Sequence, residues 1–336
     1  RDITIDQLVN YIDNYDKLLG TVNFDAALLA VEQGLVDEQI SIVQWREKIR
    51  EMTSVESEED NRVSMRAYLA AMRSPIPIVN PTSDKIAVIV AKGQIYDGEQ
   101  AAGDIGGDSL ASLVKQARED KTIKAVVVRV DSPGGSPSAS ELIRSELVMT
   151  QESGKPVVIS MGGYAASGGY WIATTANKIF ASESTITGSI GVFGMIPNFA
   201  RAIEKLGVYS DGVGTNTFSN ALNPFETANP RFEYTLQQNV NRIYNKFITL
   251  VSEGRGLDLA EVDKIAQGRV WSGASALELG LIDAIGGTSD AVKSAAILAG
   301  LNNYDVIYLE KQLSPRELII KQVLESTAAY LPRPAV

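Results

Sequence analysis

The sequence predicts an α/β protein built on a parallel sheet, preceded by a mainly helical segment. This prediction rests on three short apolar runs, at 86–91, 125–130 and 156–160. Each run is bounded by polar or glycine-rich residues, and stretches with helical patterning, 107–119 and 137–153, lie between them. Short apolar strands that alternate with helices are typical of βα units, whose parallel sheet is buried on both faces.

The remaining elements follow from the same patterns. A fourth strand is predicted at 178–181 and a late one at 302–310, and helices are predicted at 226–254, 258–267, 288–299 and 315–331. Residues 1–73 are mostly helical in pattern, and Pro75, Pro77 and Pro81 favour an extended connection after them. The predicted divisions are a helical tail of a preceding homologous unit with a linker (1–73), a Pro-rich connection (74–83), an α/β domain (84–300) and a C-terminal extension (301–336).

The composition excludes several kinds of catalytic and metal-binding site. The 336 residues include no histidine and no cysteine, which excludes a Ser-His-Asp triad, a thiol nucleophile, a disulfide and thiolate or imidazole metal sites. A general base must then be Lys, Asp, Glu, Tyr or an N-terminal amine, and we expect no cofactor and no metal. A net charge of −10 argues against a nucleic-acid partner. No apolar run reaches the roughly 18 residues of a transmembrane helix, and because the chain begins at Arg1 we expect its natural start, with any anchor, to lie upstream.

Two glycine-rich turns follow neighbouring predicted strands. Gly134 and Gly135 could aim backbone N–H groups at one spot, as in an oxyanion hole or a phosphate cradle, or could form an ordinary βα turn. Ser167 follows the next strand and is flanked by Ala166 and Gly168, whose small size would let a substrate approach the hydroxyl. The alternative for that segment is a close-packed helix–strand crossing. Both turns would lie at the carboxyl ends of the strands, where ligands bind in open α/β sheets.

A third segment, 184–193, is rich in hydroxyl side chains and too interrupted by glycine for a regular helix. Its Ser189 could orient a neighbouring amine or carbonyl, or it could stabilise a turn.

These three motifs, in this order and spacing, resemble the signal peptide peptidase A (protease IV) family, serine peptidases with a Clp-protease/crotonase-like fold. The segments 223–225, 268–273 and 276–287 are similar to later motifs of the family, so the resemblance covers roughly 84–300. The chain most resembles the C-terminal portion of the long, internally duplicated bacterial form. A short match of 30–37 to 276–283 fits such a duplication.

The resemblance implies a Ser/Lys peptidase that degrades cleaved signal peptides and other short apolar peptides. It also implies a homo-oligomer at the bacterial inner membrane, with the catalytic part facing the periplasm and the N-terminal half of the same protein supplying the anchor. The residues it assigns are the nucleophile Ser167, the oxyanion-binding Gly168, Gly134 and Gly135, and the lysine-orienting Ser189. We expect Tyr164, Ala165 and Ala166 to bind substrate, since a pocket bordered by small residues offers no charge to a substrate side chain and suits small or apolar ones.

The lysine itself is missing where short family members carry it. The matching stretch, 214–225, contains no lysine. In the duplicated form the resemblance implies a lysine from the first unit, and counting back through the repeat places it about 27 residues before Arg1. We therefore expect this chain to carry the serine and not its base. Two other functions stay open at this point, a crotonase-like acyl-CoA enzyme and a non-catalytic assembly module.

Overall fold

The structure, a computed structural model, describes residues 3–53, 84–101 and 103–310. The N-terminal helices are α1 (Ile5–Asp13), α2 (Tyr15–Thr21), α3 (Ala26–Glu32) and α4 (Ile42–Thr53). The strands are β1 (Lys85–Lys92), β2 (Ile95–Tyr96), β3 (Ile105–Gly106), β4 (Ile123–Ser132), β5 (Val157–Ala166), β6 (Lys178–Ala181), β7 (Ile186–Gly188), β8 (Val270–Ser272), β9 (Ala284–Ile285) and β10 (Asp305–Leu309). The other helices are α5 (Gly107–Glu119), α6 (Pro137–Glu152), α7 (Gly168–Ala173), α8 (Ala200–Glu204), α9 (Pro230–Arg255), α10 (Leu259–Ile265), α11 (Gly273–Glu278) and α12 (Thr288–Leu298).

The central sheet has the order β10-β1-β4-β5-β6-β9, and every neighbouring pair in it is parallel. Strand β7 pairs with the last residues of β5, and β8 runs antiparallel to β7. Alternate residues of β1 enter two different cores. Ala87 and Ile89 lie in the larger core, whereas Ile86 and Val88 lie beneath α12. Both faces are buried, so the predicted α/β class with a parallel sheet is confirmed.

Most predicted elements are confirmed with small shifts at their ends. Helix α5 and strand β6 have the predicted bounds, and β10 forms within the predicted late strand. Strand β5 extends beyond the predicted 156–160 to Ala166, because its last residues pair with β7. The predicted linker at 74–83 and the predicted helix at 315–331 lie outside the described residues.

The two segments that match in sequence have the same local geometry. Gly34 has φ of 70° and Gly280 has φ of 73°, and in each turn the N–H of the next residue donates to the carbonyl of the residue four positions before the glycine at 2.8 Å. A helix follows each turn, first α4 and then α12. The N–H groups of Ser41 and Gly287, just before these helices, donate to a side-chain oxygen three residues on, at 2.8 and 2.9 Å. The segments therefore share a turn, its hydrogen bonds and a capping pattern.

The N-terminal helices lie against the long helix α9. Arg231 forms an ion pair with Asp16, and the rings of Phe24 and Tyr234 meet edge to face at 5.5 Å. Helix α4 contacts α6. Among the described helices, none combines the length and apolar character needed to span a membrane.

Candidate active site

Ser167 lies at the sharp turn between β5 and α7. Its backbone has φ of 52° and ψ of −119°, a positive φ that residues with a side chain rarely adopt. Its N–H donates to the carbonyl of Gly188 at 2.9 Å, and its carbonyl accepts from the N–H of Trp171 at 2.9 Å. A strained strand-to-helix turn of this kind presents its side chain at the carboxyl edge of the sheet. The Ser167 side chain is half-buried there and borders a cavity.

Gly134 makes close contact with this turn. A Cβ on Gly134 would lie 2.7 Å from Ser167 Cβ and 2.8 Å from the Gly168 nitrogen, and Gly134 has φ of 111°. Only glycine permits this approach with this backbone. The Gly134 N–H donates to Ser132 Oγ at 3.1 Å, so it is already engaged within the turn.

Gly135 and Gly168 bring two backbone N–H groups together beside Ser167. A Cβ on Gly168 would lie only 3.1 Å from the Gly135 nitrogen. Ile95 fixes the Gly135 turn, because its N–H donates to the Gly134 carbonyl at 2.9 Å and its carbonyl accepts from the Ser136 N–H at 2.9 Å. Among the described residues, neither the Gly135 nor the Gly168 N–H has an acceptor. Two free, fixed donors of this kind can bind an oxygen that gains negative charge.

Ser167 and Ser189 share one cavity of about 760 Å³. Ser189 follows β7, has φ of 47° and donates its N–H to the carbonyl of Arg269 at 2.7 Å. The pairing of β7 with β5 thus brings the two predicted serines to the same opening. The cavity is lined by Gln94, Pro133, Gly134, Gly135, Ser167, Ser189, Gly191, Val192, Phe193, Tyr244, Gln267 and Gly268.

No lysine of the described residues lines this cavity. Lys178 pairs with Asp283 at 3.5 Å, and Lys246 pairs with Glu141 at 3.1 Å. The stretch 214–225, where short family members would place the base, contributes no residue to the cavity lining. Its Asn223 instead donates to Glu226 at 2.9 Å.

A smaller cavity of about 110 Å³ also borders Ser167. Its lining is mainly apolar and consists of Gly135, Pro137, Ser167, Gly168, Trp171, Gly191, Val192, Phe193 and Phe247. Sequence reasoning missed Trp171 and Phe247 as part of the site. The spacing of Trp171, four residues after Ser167 at the start of a helix, is the signal that could have identified it.

The structure places the three predicted substrate-binding residues at the end of β5, just before Ser167. Ala165 is fully buried in the larger core, and Ala166 is 6% exposed. Neither lines the cavities beside Ser167. Tyr164 is 52% exposed, and its N–H donates to Asp131 at 3.1 Å.

Tyr244 is the titratable side chain that faces the larger cavity. Its hydroxyl donates to Asp263 and accepts from the Gln267 N–H. Burial and then the hydrogen bond to the Asp263 carboxylate raise the pKa of Tyr244, so the phenol stays neutral at physiological pH. No cluster of carboxylates able to hold a metal ion occurs within the described ranges.

Comparison with known proteins places these residues in a family. The model of Peptidase family S49 matches residues 149–302, a range that contains Ser167 and Ser189. "Protease 4" of Salmonella typhi is 40% identical over 314 residues, which make up 94% of this chain and 50% of that protein. The chain therefore spans about half the length of that relative.

Two further proteins are similar to this chain over a larger share of their own length. A protein of Synechocystis sp. that is named as a protease is 36% identical over 243 residues, 72% of this chain and 84% of that protein. The solved structure of ClpP1 from Listeria monocytogenes aligns with a TM-score of 0.39 at 16% identity, over 61% of this chain and 94% of that one. The match to 84% of the Synechocystis protein, together with the family model, shows that the chain belongs to peptidase family S49.

Proposed function

We propose that this chain is the serine-bearing part of a serine endopeptidase and that Ser167 is its nucleophile. One observation carries the proposal. Ser167 stands on a strained strand-to-helix turn, with the two free N–H groups of Gly135 and Gly168 beside it and an open cavity in front of it. This arrangement supplies both a nucleophile and a site for an oxyanion.

In the proposed reaction, Ser167 Oγ attacks the carbonyl carbon of the scissile peptide bond and gives its proton to a lysine amine. The N–H groups of Gly135 and Gly168 donate to the oxyanion of the tetrahedral intermediate. Collapse breaks the C–N bond, and the lysine returns the proton to the leaving amine. Water then hydrolyses the ester on Ser167. Gly134 serves by having no side chain, because its N–H is engaged by Ser132.

The base in this proposal is a lysine that reaches the cavity from outside the described residues. The lysine-free lining of the cavity supports it. Desolvation would keep the amine neutral, and the hydroxyl of Ser189, which also lines the cavity, would hydrogen-bond it. A preceding homologous unit of the same protein would supply this lysine, with residues 1–73 as the end of that unit. The turn and capping pattern shared by 30–44 and 276–290 support this division.

Cleaved signal peptides and other short apolar peptides are the proposed substrates. The apolar lining of the small cavity beside Ser167 supports them, since it offers no charged group to a substrate side chain. We further propose a homo-oligomer at the bacterial inner membrane with its catalytic part in the periplasm. Exposed apolar side chains near the site, among them Phe193 (90% exposed) and Met195 (86%), support assembly.

The decisive experiment compares Ser167→Ala with Ser189→Ala and with Ser112→Ala, a matched change on the exposed face of α5. In the full-length protein, Ser167→Ala should abolish hydrolysis of an apolar signal-peptide fragment, and Ser189→Ala should slow it about 10- to 100-fold. Ser112→Ala should act like the wild type. A fluorophosphonate should label Ser167, as detected by peptide mass spectrometry. Full hydrolysis by Ser167→Ala, or an unlabelled Ser167 in protein that hydrolyses the peptide, would contradict the assignment of Ser167 as the nucleophile.

A further inference from the structure

The small cavity beside Ser167 shares a wall with a second cavity. Trp171 and Pro137 line both the cavity of about 110 Å³ and another of about 330 Å³. The second cavity lies behind Trp171, between the start of α4 and the facing sides of α6 and α9. Trp171 is 3% exposed, so its indole fills the space between them. Without the indole the two spaces would join.

Two contacts fix the position of this indole. Trp171 Nε1 donates to Glu141 Oε2 at 2.8 Å, and the ring packs against Phe247 at a tilt of 41°, with centroids 4.7 Å apart. Glu141 lies on α6 and Phe247 on α9, so the indole is held from both sides. A buried indole N–H requires such an acceptor, because leaving it unpaired is costly.

Glu141 is in turn held as a carboxylate. Arg144 donates to both of its oxygens, at 2.8 and 2.9 Å, and Lys246 lies 3.1 Å from it. Burial alone would raise the pKa of Glu141, but the hydrogen bonds and charges of Arg144, Trp171 and Lys246 lower it to about 2. The group is therefore a permanent acceptor at neutral pH, in a fixed place. Lys246 and Phe247 are consecutive on α9, so the same turn of that helix supports both Glu141 and Trp171.

We propose that Trp171 is the specificity-determining wall of the pocket for the substrate side chain next to the scissile bond (P1), and that Glu141 is its positioning residue. The proposal rests on the proposed function of Ser167. A space of 110 Å³ equals about four waters at their share of liquid volume, which suits a small or medium apolar side chain and excludes large aromatic ones. Pocket size of this kind discriminates between substrates by about 10- to 200-fold per methylene group.

The test measures P1 preference in the full-length protein, using peptides that differ only in Ala, Leu or Phe at P1. Trp171→Ala should raise the ratio of kcat/KM for Phe over Ala at least about tenfold, mainly through a lower KM for the Phe peptide. Glu141→Ala should move the ratio in the same direction, and Glu141→Gln, which keeps an oxygen acceptor, should restore most of the wild-type preference. Glu152→Gln, the same change at an exposed position of α6, is the control and should leave the ratio unchanged.

Trp171→Phe provides a second variant should the alanine variant fail to fold, and near-ultraviolet circular dichroism reports folding. If a folded Trp171 variant still hydrolyses peptides with an unchanged ratio of kcat/KM for Phe over Ala, Trp171 is not the wall of the P1 pocket. That result would leave the role of Ser167 as the nucleophile intact. A Glu141→Ala variant that loses rate equally for all three peptides would overturn the positioning role, since general destabilisation has that effect. Absence of Ser167-dependent hydrolysis in the wild type would overturn this inference and the proposed function together.

Discussion

Replacing Gly134 by alanine is the sharpest test of how the site is built. The added Cβ would lie 2.7 Å from Ser167 Cβ, 2.8 Å from the Gly168 nitrogen and 2.9 Å from the Ala166 carbonyl oxygen. None of these atoms is the end of a flexible side chain, so the backbone of one turn must move. The alanine must also adopt φ of 111°, outside the regions that side chains allow.

The strained backbone and the added Cβ each have an expected cost in the free energy of unfolding. The backbone conformation costs about 1–2 kcal/mol, and forcing extra volume into a packed site costs about 1–3 kcal/mol. We therefore expect Gly134→Ala to lower the free energy of unfolding by about 2–5 kcal/mol. Urea titration of the folded chain measures this loss. In the full-length enzyme, kcat/KM should fall about 100-fold, because a shift of Ser167 of up to about 1 Å misaligns its hydroxyl with the two N–H donors.

Gly103→Ala separates the two contributions. Gly103 has φ of 114°, close to that of Gly134, but no atom of the described residues beyond its chain neighbours lies within 4 Å of the position its Cβ would take. The control variant should lose only the backbone contribution, and both variants gain equally from a stiffer unfolded chain. Equal stability losses in the two variants, with full activity in Gly134→Ala, would refute the close approach of the two turns.

Three further predictions concern charged and hydrogen-bonded side chains. The pKa of Glu141 in the folded protein is about 2, below its usual 4.5. Its stabilising effect is therefore present above about pH 4.5 and is lost as the pH falls toward 2. Urea titrations across that range should show that the free energy of unfolding falls less steeply with pH in Glu141→Gln than in the wild type. Asp283→Asn leaves Arg255, whose side chain is 9% exposed, without its charged partner at 3.0 Å, and should lower the free energy of unfolding by about 3 kcal/mol. Tyr244→Phe removes the hydroxyl that joins Asp263 to the Gln267 N–H, and should cost about 1 kcal/mol and speed amide hydrogen exchange at 263–268.

Each of these three predictions would be contradicted by a particular result. A fall with pH as steep in Glu141→Gln as in the wild type would mean that the carboxylate contributes nothing to acid stability. Wild-type unfolding of Asp283→Asn would mean that Arg255 finds water or another acceptor. Unchanged hydrogen exchange in Tyr244→Phe would show that the 263–268 turn is held by its backbone alone.

The parallel sheet was predictable because its strands have strong local patterns. The run at 125–130 is continuously apolar, and the helix at 107–119 has an apolar face with glycine at its start. Strand β7 was not predicted. Its three residues lie among Ser, Thr and Gly and become a strand only by pairing with β5 on one side and β8 on the other. The same long-range pairing accounts for the extension of β5 through two glycines to Ala166.

The candidate site could be located from the sequence only where it depends on local patterns. Ser167, Gly168 and the Gly134–Gly135 turn could be identified because each lies at the end of a recognisable strand. The small cavity beside Ser167 could not be located in this way, because its walls come from segments distant in sequence. Phe247 lies on α9 and packs against Trp171. Ala165 has the right size for a pocket lining, but its side chain packs in the larger core, which only the folded structure shows.

The backbone of Ser167 has a consequence for variants made to silence the enzyme. With φ of 52° and ψ of −119°, the serine adopts a conformation that only glycine accepts without strain. Ser167→Ala keeps that strain, whereas Ser167→Gly relieves it and should give a protein that is both inactive and more heat-stable than the wild type. If Ser167 is the nucleophile as proposed, the protein gives up stability for function at this one residue, and selection for stability alone would remove the hydroxyl first.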